Sequence, residues 1–251
     1  MLVAVRELAD LFGRPQAGES ILFAGPSGSG KTEVAINLAL SLIRLTTSPV
    51  TLCDLDVVKP YFRLRDMLRL LTEDEAKRLI IVEPEHRLLH ADIPTFPRNL
   101  HALLSSQETI KVIDVGGDAI GAGAVAQFRE TIIAGDYSLY IVVNTLRPGM
   151  DSPDGLKRML TTIRSGARLE VTGLVANTNL QAETTAEEVQ CGYDAVKALG
   201  DSEGLPVVAV LVSPEYADQV VHRLAPGAAG LLSVIRVFNR ILDTVGSQTE
   251  F

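Results

Sequence analysis

The sequence predicts a doubly wound α/β fold, a mainly parallel sheet of about seven strands with helices on both faces. Three observations carry this. Short apolar runs alternate with segments of helical period along the whole chain. The runs are apolar on both faces, as strands between two helix layers are. The first of them, Ile21-Leu22-Phe23-Ala24, leads directly into Gly25-Pro26-Ser27-Gly28-Ser29-Gly30-Lys31-Thr32. That octapeptide fits G-x-x-x-x-G-K-[ST], a phosphate-binding loop, and a helix over Glu33 to Ile43 follows it.

The remaining elements are read in order. Val5, Leu8, Leu11 and Phe12 have helical spacing and predict a short helix docked on the domain. Val50 to Asp54 reads as a strand running on toward Asp56, and Arg63, Leu64, Met67, Leu68 and Leu71 mark a mixed helical segment. Leu79 to Val82 is a strand, and the proline-containing stretch from Glu83 to Pro97 a loop. Leu100, Leu103 and Leu104 suggest a helix. Ile110 to Asp114 is a strand, Ala124 to Ala134 a helix, and Ser138 to Val143 a strand. A helix over Asp154 to Ala167 precedes the strand Val171 to Ala176. Thr185 to Leu199 reads as a helix, Pro206 to Val212 as a strand, and Pro214 to Leu224 as a short helix. The run from Ala229 to Val245 has helical periodicity. With no linker, repeat or low-complexity segment, residues 1–251 are expected to form a single domain. An N-terminal helix would lie within 1–18, and a C-terminal helix and tail would occupy 229–251.

Composition narrows the function classes. The chain has 251 residues, of which 47% are hydrophobic and 22% charged, ordinary values for a globular protein. A net charge of −8 argues against broad, non-specific nucleic-acid binding. Arg6, Glu7 and Asp10 interrupt the first apolar stretch, so no signal-peptide core is expected there, and no run of 18 apolar residues suggests a membrane span. Cys53 and Cys191 form no C-x-x-C pair, which suits a reducing, cytoplasmic setting.

In the phosphate-binding loop, Gly25, Gly28 and Gly30 let the backbone turn tightly, and successive N–H groups, including those of Ser27 and Ser29, form an anion nest. The following helix adds its positive end. Lys31 supplies a full charge for the β- and γ-phosphates, and Thr32 a hydroxyl for Mg²⁺. Asp114 ends an apolar strand and opens Asp114-Val115-Gly116-Gly117, where a Mg²⁺-associated acid belongs. Gly117 would offer its N–H to the γ-phosphate. Asp54 and Asp56 follow the second strand and would point to one side if the strand continues through them. They are candidates to hold Mg²⁺ waters or to position an attacking water. Val115 stands where many P-loop motors keep a catalytic Glu, so the water-activating group must come from elsewhere.

Taken together, the octapeptide, Asp54-Leu55-Asp56, Asp114-Val115-Gly116-Gly117 and Asn177-Thr178-Asn179 resemble the SIMIBI class of P-loop NTPases. Within it, they look most like the MinD/ParA/CobQ-type nucleotide-binding domain. The resemblance covers the motifs in order from about residue 20 to 225. It implies the P-loop NTPase fold and a nucleotide-dependent switch that hydrolyses ATP with Mg²⁺. It assigns hydrolysis to Lys31, Asp54 and Asp56, and Mg²⁺ to Thr32, Asp56 and Asp114. Asn177 would read the purine, and the loop at Pro214 would edge the base. Leu180 stands where a guanine-reading carboxylate would complete N-K-x-D, so ATP is expected over GTP. One departure is Pro26, at the position where MinD/ParA proteins carry a signature Lys that reaches across an ATP-bound dimer. A homodimer is a possible assembly.

Lys59, Arg63 and Arg65 follow the acid pair, with Pro60 between them. The segment Lys59 to Arg65 could take a small-molecule acceptor or a protein partner, or simply be a basic surface. The second functional reading is therefore an ATP-dependent ligase or kinase resembling dethiobiotin synthetase or cobyrinate synthase. A GTP-dependent metal-insertion chaperone is disfavoured by Leu180 and by the lack of Cys/His clusters. His86 and His90, with Asp92 nearby, are four apart, but Arg87 and the flanking Pro84 and Pro94 fit neither a zincin motif nor a helix.

Overall fold

The computed structural model describes residues 6–56, 71–83, 96–180, 183–214 and 217–235. Their elements run α1 (Leu8–Leu11), β1 (Ser20–Ala24), α2 (Lys31–Leu45), β2 (Val50–Asp54), α3 (Glu73–Arg78), β3 (Leu79–Val82), α4 (Leu100–Ser105) and β4 (Ile110–Val115). They continue α5 (Ala119–Ala126), α6 (Arg129–Ile133), β5 (Tyr137–Val143), α7 (Pro153–Ala167), β6 (Gly173–Ala176), α8 (Ala186–Glu203), β7 (Val207–Val212), α9 (Ala217–Val221), α10 (Pro226–Ala229) and β8 (Leu232–Val234). The strands form one sheet of eight in the order β3-β2-β4-β1-β5-β6-β7-β8, every neighbouring pair parallel.

The pleat splits each strand between two cores. In β1, Leu22 and Ala24 join the layer of Leu156, Leu160, Val189 and Val196 from α7 and α8. Ile21 and Phe23 join Val34, Leu38 and Leu42 of α2 on the other face. Both faces of the sheet are thus covered by helices, which is why these strands tolerate apolar residues at every position. Phe12, just past α1, sits against Phe23 and Tyr140 with ring centroids at 5.2 and 4.9 Å. The predicted N-terminal helix is present and docked, though only one turn long; Val5 lies outside the described residues.

Local chemistry sets the helix starts. Thr72 and Thr185 open α3 and α8 with capping boxes to Glu75 and Glu188. Ser152 caps α7 with Pro153 at its first position. Asp118 caps α5 by accepting from the Gly121 N–H at 2.7 Å.

Several expectations are corrected. The doubly wound parallel sheet is as expected, with eight strands among the described residues where about seven are read from the sequence. The added one, β8, lies inside the stretch read as the start of a C-terminal helix at Ala229. A continuous apolar run does not separate helix from strand by periodicity, and the backbone of this one completes the ladder beside β7. The single helix predicted over Ala124 to Ala134 is two, α5 starting at Ala119 and α6 at Arg129. Asp118 provides an earlier start than the Gly/Ala-rich α5 reveals by periodicity. Helix α3 was not predicted, although Thr72-x-x-Glu75 is a helix-start signature. The segments at Lys59 to Arg65, His86 to Asp92 and 236–251 lie outside the described residues.

Candidate functional site

The strand order reverses at β1, which has β4 on one side and β5 on the other. Ligands of open α/β sheets bind at such a switch point, beyond the C-terminal strand ends. The loop Gly25 to Gly30 lies there. Gly28 and Gly30 adopt φ of +78° and +88°, a region closed to most side chains, and Gly30 is the N-cap of α2.

Five expected polar residues converge on this loop. Lys31 and Asp56, both buried, form an ion pair at 2.8 Å. The Thr32 hydroxyl donates to Asp114 Oδ2. The other oxygen of that buried carboxylate, Oδ1, has no hydrogen-bond partner among the described residues. Asp54 is buried as well, and its Oδ1 accepts from the Asp56 N–H at 2.8 Å. Strand β2 stops at Asp54, so a side-chain-to-backbone turn brings the two acids together where strand pleat had been expected to do so.

The electrostatics follow from crowding three carboxyls in a dry place. Burial, and then the charges of Asp114 and Asp56, push Asp54 up to about 8. Burial also raises Asp114, to about 6, against the pull of Lys31 and the Thr32 hydrogen bond. For Lys31, burial acts to lower the pKa, but the charges of Asp114 and Asp56 outweigh it and hold the ammonium above its ordinary value.

Gly117 closes the site by contact. A Cβ there would run into the Gly25 carbonyl and come within 2.6 Å of the Pro26 nitrogen. The loop after β4 is therefore pressed against the start of the phosphate-binding loop. Asn177, just past β6, donates from Nδ2 to the Ser29 carbonyl at 2.7 Å. Its Oδ1 is buried and without a partner among the described residues, as is the Ser213 hydroxyl past β7. Pro214 is exposed beside it. Ser27 is exposed at the loop's tip, and Ser29 is buried beneath it.

Three residues near the loop were not anticipated. Arg147 donates from Nε to the Gly28 carbonyl at 2.9 Å. Asn144 donates to the Asn179 carbonyl at 2.8 Å and accepts from the Leu146 and Asn179 N–H groups at 3.1 and 3.3 Å. Glu33, in the first turn of α2, is pushed up to about 7 by burial, with Arg147 opposing. A sequence signal existed for Asn144: Asn144-Thr145 and Asn177-Thr178 repeat one dipeptide after two apolar strands. The structure puts these strand ends side by side, with the two threonine hydroxyls 3.0 Å apart.

Among the described residues, no group of three or more His, Cys, Asp or Glu side chains is arranged to hold a metal by itself. Mg²⁺ bound with phosphates keeps several waters and needs only one or two protein ligands. Thr32 and the open oxygen of Asp114 suit that arrangement. Cys53 is buried and Cys191 exposed, both as free thiols. No helix among the described residues is long and apolar enough to cross a membrane.

A phosphate-binding loop between the central strand and the first following helix of a parallel sheet defines a P-loop NTPase fold. No family model matches the chain, and no curated protein does. Solved structures do resemble it. FtsY from Mycoplasma mycoides is 12% identical with a TM-score of 0.49, over 77% of this chain and 60% of its own. The signal recognition particle receptor FtsY from Elizabethkingia anophelis is 16% identical with a TM-score of 0.49, over 89% of this chain and 68% of its own. A ParA family ATPase from Chlorobium tepidum is 16% identical with a TM-score of 0.41, over 85% and 95%. The matched region thus spans 60% of the first FtsY. At these values the likenesses add no support for a particular activity.

Proposed function

We propose that this chain binds ATP with Mg²⁺ and hydrolyses it as a nucleotide-dependent switch. The observation that carries this is the convergence of Lys31, Thr32, Asp54, Asp56 and Asp114 on one loop at the sheet's switch point. In this reading the N–H groups of the loop and Lys31 hold the phosphates. Thr32 and Asp114 would hold Mg²⁺, which when bound neutralises charge on the β- and γ-phosphates. Asp56, released from Lys31, would then serve the metal's waters, and Asp54 or Asp56 would orient the attacking water. Catalysis by such a group is positioning and charge stabilisation, with no covalent intermediate.

The choice of adenine rests on Asn177. A carbonyl can only accept, so the Ser29 carbonyl fixes which end of the amide faces it and leaves Oδ1 open. An acceptor without a partner suits the adenine amino group and disfavours the carbonyl that guanine carries at the same ring position. The basic segment Lys59 to Arg65 follows Asp56 closely in sequence, and we take it as the place where an acceptor or protein partner would bind.

Calorimetric titration with Mg-ATP and Mg-GTP, alongside a phosphate-release assay, tests this. Wild type should bind ATP more tightly than GTP and release phosphate, and Lys31→Ala should bind neither. Unchanged affinity in Lys31→Ala would overturn the scheme, and a preference for GTP would overturn the base assignment.

A further inference from the structure

Each positive-φ glycine of the loop is backed by one side chain from outside it. A Cβ on Gly30 would collide with Asn177 Nδ2, and a Cβ on Gly28 would lie 2.8 Å from Arg147 Nε and 2.9 Å from its Cζ. Both side chains act on carbonyls of consecutive peptides, Asn177 on Ser29 and Arg147 on Gly28. In a trans peptide the C=O and N–H point opposite ways, so a donor that holds the carbonyl outward also aims the next N–H inward. The Gly28–Ser29 peptide shows this: its carbonyl meets Arg147, and its N–H crosses the loop to the Pro26 carbonyl at 3.0 Å.

Arg147 is itself held in place. Its N–H donates to the Asn144 carbonyl at 3.2 Å, and its carbonyl accepts from the Met150 N–H at 3.0 Å. Asn144 is buried and bonded to the loop after β6, and its Nδ2 makes a second, longer approach to the Gly28 carbonyl at 3.5 Å. The guanidinium thus reaches the phosphate-binding loop from a turn anchored at two strand ends.

We infer that Arg147 is a positioning residue of the nucleotide site, turning the Gly28 carbonyl away from the phosphate side, bracing the Pro26–Ser29 turn of the loop and tying the loop to the turn between β5 and α7. The inference rests on the nucleotide-binding reading above. Because Arg147 acts through the backbone of the loop, its effect falls on every nucleotide that uses the loop, whatever the number of phosphates beyond the second.

The test is fluorescence titration of ATP and ADP onto wild type, Arg147→Ala, Arg147→Lys and Lys31→Ala, with thermal unfolding of each nucleotide-free protein. Arg147→Ala should weaken ATP and ADP alike, on the order of tenfold, the worth of one charge-assisted hydrogen bond. Arg147→Lys, which keeps a charged donor, should return both to within about threefold of wild type. The unfolding midpoints should stay together. Wild-type affinity in Arg147→Ala would overturn the inference. So would a loss confined to ATP, which would make Arg147 a direct γ-phosphate contact. A lysine variant no better than alanine, with a lowered midpoint, would reduce Arg147 to a structural residue. If wild type binds no nucleotide, the functional reading falls and the inference with it. If wild type binds, Lys31→Ala does not and Arg147→Ala is normal, only the inference falls.

Discussion

Asp54 is the residue whose chemistry is most at odds with its surroundings. Its carboxyl is buried beside two others, and burial and the charge of Asp114 push it up from an ordinary 3.8 to about 8. A carboxyl with a raised native pKa holds its proton more tightly folded than unfolded. Its stabilising contribution is therefore full below the unfolded pKa and is lost as pH rises toward 8. Asp114 adds a smaller loss of the same sign up to about 6. The nucleotide-free, metal-free protein should thus lose thermal stability between pH 5 and pH 8, values set by roughly that window. Asp54→Asn keeps an oxygen for the Asp56 N–H and removes the titration. Its unfolding midpoint should vary less over this range and exceed that of wild type at the alkaline end. Parallel curves for the two proteins, measured by thermal scans at a series of pH values, would contradict the assignment.

At the level of elements, the site depends on two loops packed backbone to backbone. Gly117 touches the Gly25–Pro26 peptide, and neither side of that contact is a flexible side-chain end. Gly117→Ala should therefore spread the loop after β4 from the phosphate-binding loop and cost at least tenfold in nucleotide affinity, since one methyl misplaces the groups that meet the phosphates. Titration with Mg-ATP checks this, and an unaffected alanine variant would show that the loops yield freely. Most of this architecture was legible in the sequence. The octapeptide, the acids at strand ends and the alternation of strands and helices could each be read from local pattern, because each is short-range. Arg147 and Gly117 could not be read in their full roles, because their roles depend on which loops the sheet order brings together. Asn177 fell between the two. Its place after a strand was legible, but its grip on the Ser29 carbonyl was not. Strand β8 was missed for a related reason: an apolar run is assigned to a sheet by the neighbour it pairs with, and that neighbour is set by topology.

Across the whole molecule, a short N-terminal stretch links distant parts of one face. The Arg6 N–H donates to the Leu232 carbonyl, and the Ser233 hydroxyl to the Arg6 carbonyl, which ties Arg6 to β8. Six residues on, Phe12 packs on Phe23 of β1 and Tyr140 of β5 at the sheet's centre. Phe12→Ala should cost about 3 kcal/mol of stability, as large-to-small core changes do. It should leave ATP affinity unchanged, since its ring packs on Phe23 and Tyr140, neither of them placed in the site. Urea unfolding with a parallel nucleotide titration would check both halves. The Lys31–Asp56 ion pair also has a consequence for selectivity. A small anion such as chloride or acetate could claim the ammonium only by leaving a buried carboxylate without its counter-charge, an exchange that stranded ions make unfavourable. A triphosphate that arrives with its own divalent cation brings a new partner for each half of the pair. The pair would thus act as a sieve, turning away lone anions at cellular concentration while admitting the metal-bound nucleotide.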